Sequence, residues 1–299
     1  MASLREIRGK IRSIRSTEQI TKAMKMVAAA RMRRAQQAIL SSRPFALQLE
    51  HTVLDLARAA ADGGEDGGLL EHPFFRAPAA GRPCLVLVTG DKGLCGAFNT
   101  NVLRAAVVWL RRHQETGAAV AVAGRKGREF LARLKGYDYE LLCELPGIFP
   151  KVSYAHAELL GKALIGAYEG GRIRSACAVY SEFRSAVSQR VVEQPLLPVV
   201  PPDLRDAGRA SRGIDFRYEP DRPRLLAALL PRQLKAQLYR ILLESQAAEL
   251  AARMNAMDSA SKNAAELIDS LTLTLNRTRQ ALITREIAEL VGGAEALSQ

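Results

Sequence analysis

Long apolar runs are missing from this sequence. The most extended, Cys84–Val88 and Ala118–Ala123, are only a handful of residues, far short of the ~18–20 that a bilayer-spanning helix needs, so no transmembrane helix is expected. The first thirty residues have no continuous apolar core and do not read as a secretory signal. They are Arg-rich, acid-poor and amphipathic, as a transit peptide is, but the helical pattern runs past residue 34 with no cleavage-like break. Cysteine is sparse: Cys84, Cys95, Cys143 and Cys177 form no C-x-x-C pair and have no His pair nearby. That argues against a disulfide framework and a zinc site, and for buried apolar thiols in a reducing compartment. Aromatics make up 5% of residues, with one Trp, which points to helices packed through small and aliphatic side chains. Catalytic vocabulary is thin as well. His51, His72, His113 and His156 have no Ser or Cys partner at motif spacing, and there is no H-E-x-x-H. No catalytic, cofactor-binding or metal-ligating residue is therefore expected.

What the chain has is positive charge and uninterrupted helix. The formal charge is +12. Ten of the first 34 residues are basic and only Glu6 and Glu18 are acidic, so +8 of that charge sits at the amino terminus. With 48% hydrophobic and 25% charged residues, the composition is that of a folded globular protein. Between Pro231 and Gly292 lie 60 residues with neither Gly nor Pro, enough for a helix of roughly 90 Å. Along them Leu243, Ala247, Leu250, Met254, Met257, Ser261, Ala264, Ile268, Leu271, Leu275, Thr278 and Leu282 alternate by four and three, which is a heptad seam. A second Gly- and Pro-free stretch runs from Lys10 to Arg43, and Leu4, Ile7, Ile11 and Ile14 give the same alternation. It then shifts to Ile20, Met24 and Val27, a discontinuity in the heptad. Pro44 is a candidate kink, with Phe45, Leu49, Val53 and Leu56 resuming the stripe. Neither helix can bury its stripe alone, so antiparallel pairing of the two termini is the economical solution.

Between them the pattern alternates. Strands are predicted at Cys84–Thr89, Ala118–Ala123, Tyr139–Cys143, Ser175–Phe183 and Val191–Val199, and helices at Asn99–Gln114, Lys126–Leu134 and Ala155–Glu169. That order argues for a Rossmann-like α/β domain with a mostly parallel sheet. The predicted divisions are 1–58 as an amino-terminal shaft helix, 59–83 as a loop, 84–220 as the α/β domain and 221–299 as a carboxy-terminal shaft helix. The loop Thr89–Asn99 follows a strand and opens a helix, where doubly wound folds bind phosphate. Its Gly90, Gly93, Gly96 spacing matches neither known cradle, so a tight turn is expected, as at Gly124–Gly127, with Asp91 and Lys92 as an exposed turn pair. The basic amino-terminal face admits several readings: a solvated surface, a nucleic-acid contact through phosphates, a membrane-surface helix or an acidic protein partner. The last accounts for the charge without asking the apolar stripe to do two jobs.

Several stretches together resemble the gamma subunit family of F-type rotary ATP synthases. They are Ile7-Arg8 through Ile20-Thr21-Lys22-Ala23-Met24-Lys25-Met26-Val27-Ala28-Ala29, Gly93-Leu94-Cys95-Gly96-Ala97-Phe98-Asn99, Arg253-Met254-Asn255-Ala256-Met257-Asp258-Ser259-Ala260-Ser261-Lys262-Asn263-Ala264, and Asn276-Arg277-Thr278-Arg279-Gln280-Ala281 with Ile283-Thr284. Gly90 stands where Ser is usual and Lys92 where Arg is usual, and the cysteine pair of redox-regulated plastid members is absent. The resemblance implies a non-catalytic central-stalk rotor, one copy per complex, coupling ion flow through a c-ring to ATP synthesis or hydrolysis. Its implied partners are the alpha, beta, epsilon and delta subunits and the c-ring, with no nucleic acid and only indirect membrane association, on the cytoplasmic face of a bacterial inner membrane. By matching position, Met24, Lys25, Arg279, Gln280 and Thr284 would face the surrounding ring, and Arg33 and Arg34 would meet acidic beta loops. A basic coiled-coil nucleic-acid-binding protein is the alternative.

Overall fold

A computed structural model describes residues 3–61, 73–149, 151–199 and 222–297. Among the described residues five α-helices and five strands follow one another: α1 (Leu4–Ala61), β1 (Arg82–Val88), α2 (Phe98–Arg112), β2 (Ala118–Ala123), α3 (Arg125–Leu131), β3 (Tyr139–Leu145), α4 (Tyr154–Glu169), β4 (Ile173–Phe183), β5 (Gln189–Leu197) and α5 (Arg222–Leu297). The chain divides into two compact units, Met1–Ala29 with Arg253–Gln299, and Ala30–Ala252. Residues 62–72 of the expected 59–83 loop, His72 among them, and the end of the expected 84–220 domain lie outside the described residues.

The second unit is built on a sheet ordered β3-β2-β1-β4-β5. Its first four strands pair in parallel and β5 closes it antiparallel to β4. Strands covered on both faces read as continuous apolar runs, and β2, Ala-Ala-Val-Ala-Val-Ala, is buried throughout. One face, through Cys84, Val86 and Val88, packs on α4 and on Leu226, Leu230, Leu234, Leu238, Ile241 and Leu242 of α5. The other, through Leu85 and Leu87, packs on Val102, Ala106, Trp109 and Leu110 of α2. The expected elements are all present, with ends moved by a few residues.

Both long helices contain a proline. α5 begins at Arg222 and continues through Pro231. That proline removes one backbone donor, and the buried leucines on either side of it hold the helix to the sheet. α1 likewise runs on through Pro44, so Pro44 does not interrupt it. Beyond it Leu49 and Val53 are buried while Phe45 is exposed, against the expected stripe.

The glycine loop is a tight turn, as predicted, but Asp91 is not an exposed turn residue. It is 6% exposed, and its carboxylate accepts three backbone N–H bonds, from Arg125 and Gly147 on Oδ1 and from Phe149 on Oδ2, each at 2.8 Å. Those amides belong to the loops following β2 and β3, so one side chain from the loop after β1 ties three loops together. It occupies the amides an anion would otherwise meet at this end of the sheet. Beside it Thr89 Oγ1 accepts from Gly127 N at 2.8 Å. Gly124, at φ 100°, is obligatory because a Cβ there would lie 2.0 Å from the Thr89 carbonyl oxygen.

Asp91→Ala leaves the buried Phe149 amide without an acceptor and releases the Arg125 and Gly147 amides, and is expected to lower unfolding free energy by about 1–3 kcal/mol. Urea titration of the full chain checks this, and a midpoint within error of the parent would contradict it.

Candidate partner interface

The first unit is a pair of helical segments, each with one apolar stripe. On α5 the buried positions Met257, Ser261, Ala264 and Ile268, followed by half-buried Leu271, Leu275 and Thr278, follow the predicted seam; Leu282 is exposed. On α1 the register does not shift. Ile7 is buried, Ile11, Ile14 and Glu18 are half-buried, Thr21 is buried, Lys25 is half-buried and Ala28 is buried. The alternation of four and three is therefore unbroken, whereas the expected Ile20 and Val27 are exposed and Met24 is half-buried. Hydrophobic pattern misled here because Glu18, Thr21 and Lys25 hold seam positions that look polar in the sequence.

Two cross-helix contacts explain how polar residues sit there. Thr21 Oγ1 and Ser261 Oγ are 2.7 Å apart, a buried hydrogen bond. Ser261 also donates to the Met257 carbonyl at 2.9 Å. Lys25 Nζ donates to Asp258 Oδ1 at 2.6 Å, and Lys262 pairs with the same carboxylate at 3.0 Å. Both ammonium groups hold the Asp258 pKa below its ordinary value, Lys25 first. Moving forward on α1 from Thr21 to Lys25 moves backward on α5 from Ser261 to Asp258, so the segments run antiparallel.

The seven residues singled out in the sequence occupy separate stations. Met24 is half-buried on α1, and Lys25 beside it pairs across the helices with Asp258. Arg279, Gln280 and Thr284 are exposed about 30 Å further along α5. Thr284 Oγ1 donates to the Gln280 carbonyl at 2.9 Å. Among the described residues, the Arg279 and Gln280 side chains have no partner. Arg33 and Arg34 are exposed and belong to the other unit.

Sequence reasoning missed what surrounds Arg279. In the observed register Leu4, the first residue of α1, falls opposite Thr278, and every residue from Arg279 to Val291 is exposed. Leu282, Ile283, Ile287, Leu290 and Val291 are among them. A helix that exposes aliphatic residues with nothing among the described residues to cover them reads as a contact surface. The signal was the unequal reach of the two helices. Around the start of α1, Arg5, Arg8, Arg12 and Arg15 are also exposed.

A family model described as ATP synthase matches residues 3–297. An ATP synthase gamma chain from Anaeromyxobacter sp. (strain K) is 46% identical over 300 residues, covering 99% of this chain and 100% of that one. The chain belongs to the ATP synthase gamma family. Another relative, the ATP synthase gamma chain of Elusimicrobium minutum, is 43% identical over 308 residues and covered in full, as is this chain. Among solved structures, the Tetrahymena thermophila mitochondrial ATP synthase central stalk and c-ring contains a chain 26% identical, with TM-score 0.60, covering 81% of this chain and 99% of that one. The Euglena gracilis mitochondrial ATP synthase rotor contains one 21% identical, with TM-score 0.63 and coverage of 94% and 98%, a likeness of fold. A gamma-family chain is a central-stalk rotor subunit, and nothing in these matches supports the nucleic-acid-binding alternative. No helix among the described residues is long and apolar enough to cross a membrane.

Ile268 is 8% exposed in the seam. Ile268→Asp is expected to cost about 3–5 kcal/mol by burying an unpaired charge, and Leu271→Asp, at a half-buried position, less. Hydrogen exchange of α1 and α5 amides in the two variants checks the order, and equal protection in both would contradict it.

Proposed function

We propose that the exposed end of α5 is the surface through which this gamma-family rotor engages a surrounding ring of alpha and beta subunits. One observation carries the reading: from Arg279 to Val291 the helix exposes aliphatic side chains and two unpartnered polar ones that no element among the described residues covers. Arg279 and Gln280 are placed to hydrogen-bond a beta-subunit loop, with Thr284 one turn further. The exposed arginines at the start of α1 favour an acidic partner surface, since complementary charge orients an encounter and excludes wrong partners. Met24 sits at the second station with Lys25, whose charge is shared with Asp258. Arg33 and Arg34 are free to meet acidic beta loops.

The epsilon and delta subunits and the c-ring complete the proposed set, with one gamma copy per complex. The neighbouring solved structures support this set in outline, being rotor and c-ring assemblies of other organisms. Attachment to the cytoplasmic face of a bacterial inner membrane then runs through the c-ring. An asymmetric helix pair turning inside a ring touches each catalytic subunit differently at each angle. Differential contact shifts each subunit's open and closed states, and by reciprocity the nucleotide state of each subunit biases the angle. A shaft that bound every orientation equally would shift nothing.

The test is co-assembly. The purified chain should restore rotation-coupled ATPase activity to alpha and beta subunits, and Arg279→Ala with Gln280→Ala should lower it by about ten- to a hundredfold, one lost charged hydrogen bond being worth about 1.5–3 kcal/mol. Full activity and rotation in the double variant would overturn the assignment.

A further inference from the structure

The apolar seam by itself does not specify how far the two terminal helices slide along one another. Its positions repeat every seven residues, so a one-heptad slip of about 10 Å again places apolar or small residues opposite one another. Two of them, Ala28 and Ala264, are alanines, which lack the bulk to reject a wrong neighbour. The polar pairs do discriminate. Thr21 meets Ser261 and Lys25 meets Asp258, yet seven residues either side of Ser261 stand Met254 and Ile268, and seven either side of Asp258 stand Ala251 and Ala265. In either slipped register Thr21 loses its buried partner and Lys25 faces alanine.

We propose that Thr21–Ser261 and Lys25–Asp258 form a register lock, setting the axial position and facing of α5 against α1. Polar residues at seam positions are known to select one register at a cost in stability. The Lys25 and Asp258 side chains are 44% and 33% exposed, so the ion pair adds little to stability; its effect lies in the difference between registers. Through the helix, these residues position Arg279, Gln280 and Thr284. The register is a property of the chain alone, and only this last consequence rests on the proposed ring contact.

The test measures register directly. Spin labels introduced at exposed Lys10 and Ser259 through a genetically encoded ketone leave the native thiols untouched, and pulsed electron resonance on the full free chain reads their separation. The parent should give one narrow distance. Thr21→Val with Ser261→Ala, Lys25→Met and Asp258→Leu should keep or raise the melting temperature, since apolar replacements of partly buried ion pairs are tolerated. It should also add a second population displaced by about 10 Å. A single unchanged distance in that variant would overturn the lock. As a milder variant, Lys25→Asp with Asp258→Lys keeps the pair with reversed sign and should retain the parent distance; a shifted distance there would also overturn it. Because no partner is present, these outcomes are separate from failure of the ring contact.

Discussion

Two amphipathic helices that must cover each other, and do not reach equally far, set the terms for everything else in this protein. An apolar stripe along a solitary helix cannot stay in water, so α1 and α5 pair over the length that both supply. Where α1 begins, coverage ends, and α5 continues as a helix with aliphatic residues facing outward. Within the pair, side chains are committed to one another, and even Lys25 is held by Asp258. Beyond it they are available. A rotor needs both properties in one element: a stretch stiff enough to carry torque and a stretch open enough to meet its surroundings.

The sheet unit obeys a different constraint. Its parallel strands are buried on both faces, and the loops at their carboxyl ends are places where other α/β proteins bind anions. Here the Asp91 carboxylate takes the amides of two neighbouring loops. Thr89, Gly124 and Gly127 allow the backbones to approach. Charge that could have served chemistry holds the loops in place, in keeping with a rotor subunit. α5 belongs to both units, with its leucines from Leu226 to Leu242 in the sheet's core and its later residues in the helix pair.

Much of this was legible in the residues because the governing signals are periodic. The α5 seam from Leu243 to Thr278 is buried or half-buried nearly as its spacing foretold, and the α/β order emerged from alternating apolar runs and turns. Periodicity failed where polar residues occupy seam positions. Glu18, Thr21 and Lys25 looked like a break in the heptad, and only the partners Ser261 and Asp258, more than two hundred residues away in sequence, make them part of it. Asp91 was misread for a similar reason: its acceptors are satisfied by loops distant in sequence, so a local turn reading places it in solvent. The proposed partner residues rest on matching motifs, whereas the exposed aliphatic end around them depends on where the other helix stops.

The central claim is that the end of α5 is uncovered in the free chain and covered in the assembled complex. Hydrogen exchange of α5 measured in both states tests this most directly. The account predicts protected amides from Met257 to Ile268 in both states. From Arg279 to Val291 it predicts rapid exchange in the free chain and strong protection after assembly with alpha and beta subunits. Equal exchange over Arg279–Val291 in the free and assembled states would contradict it.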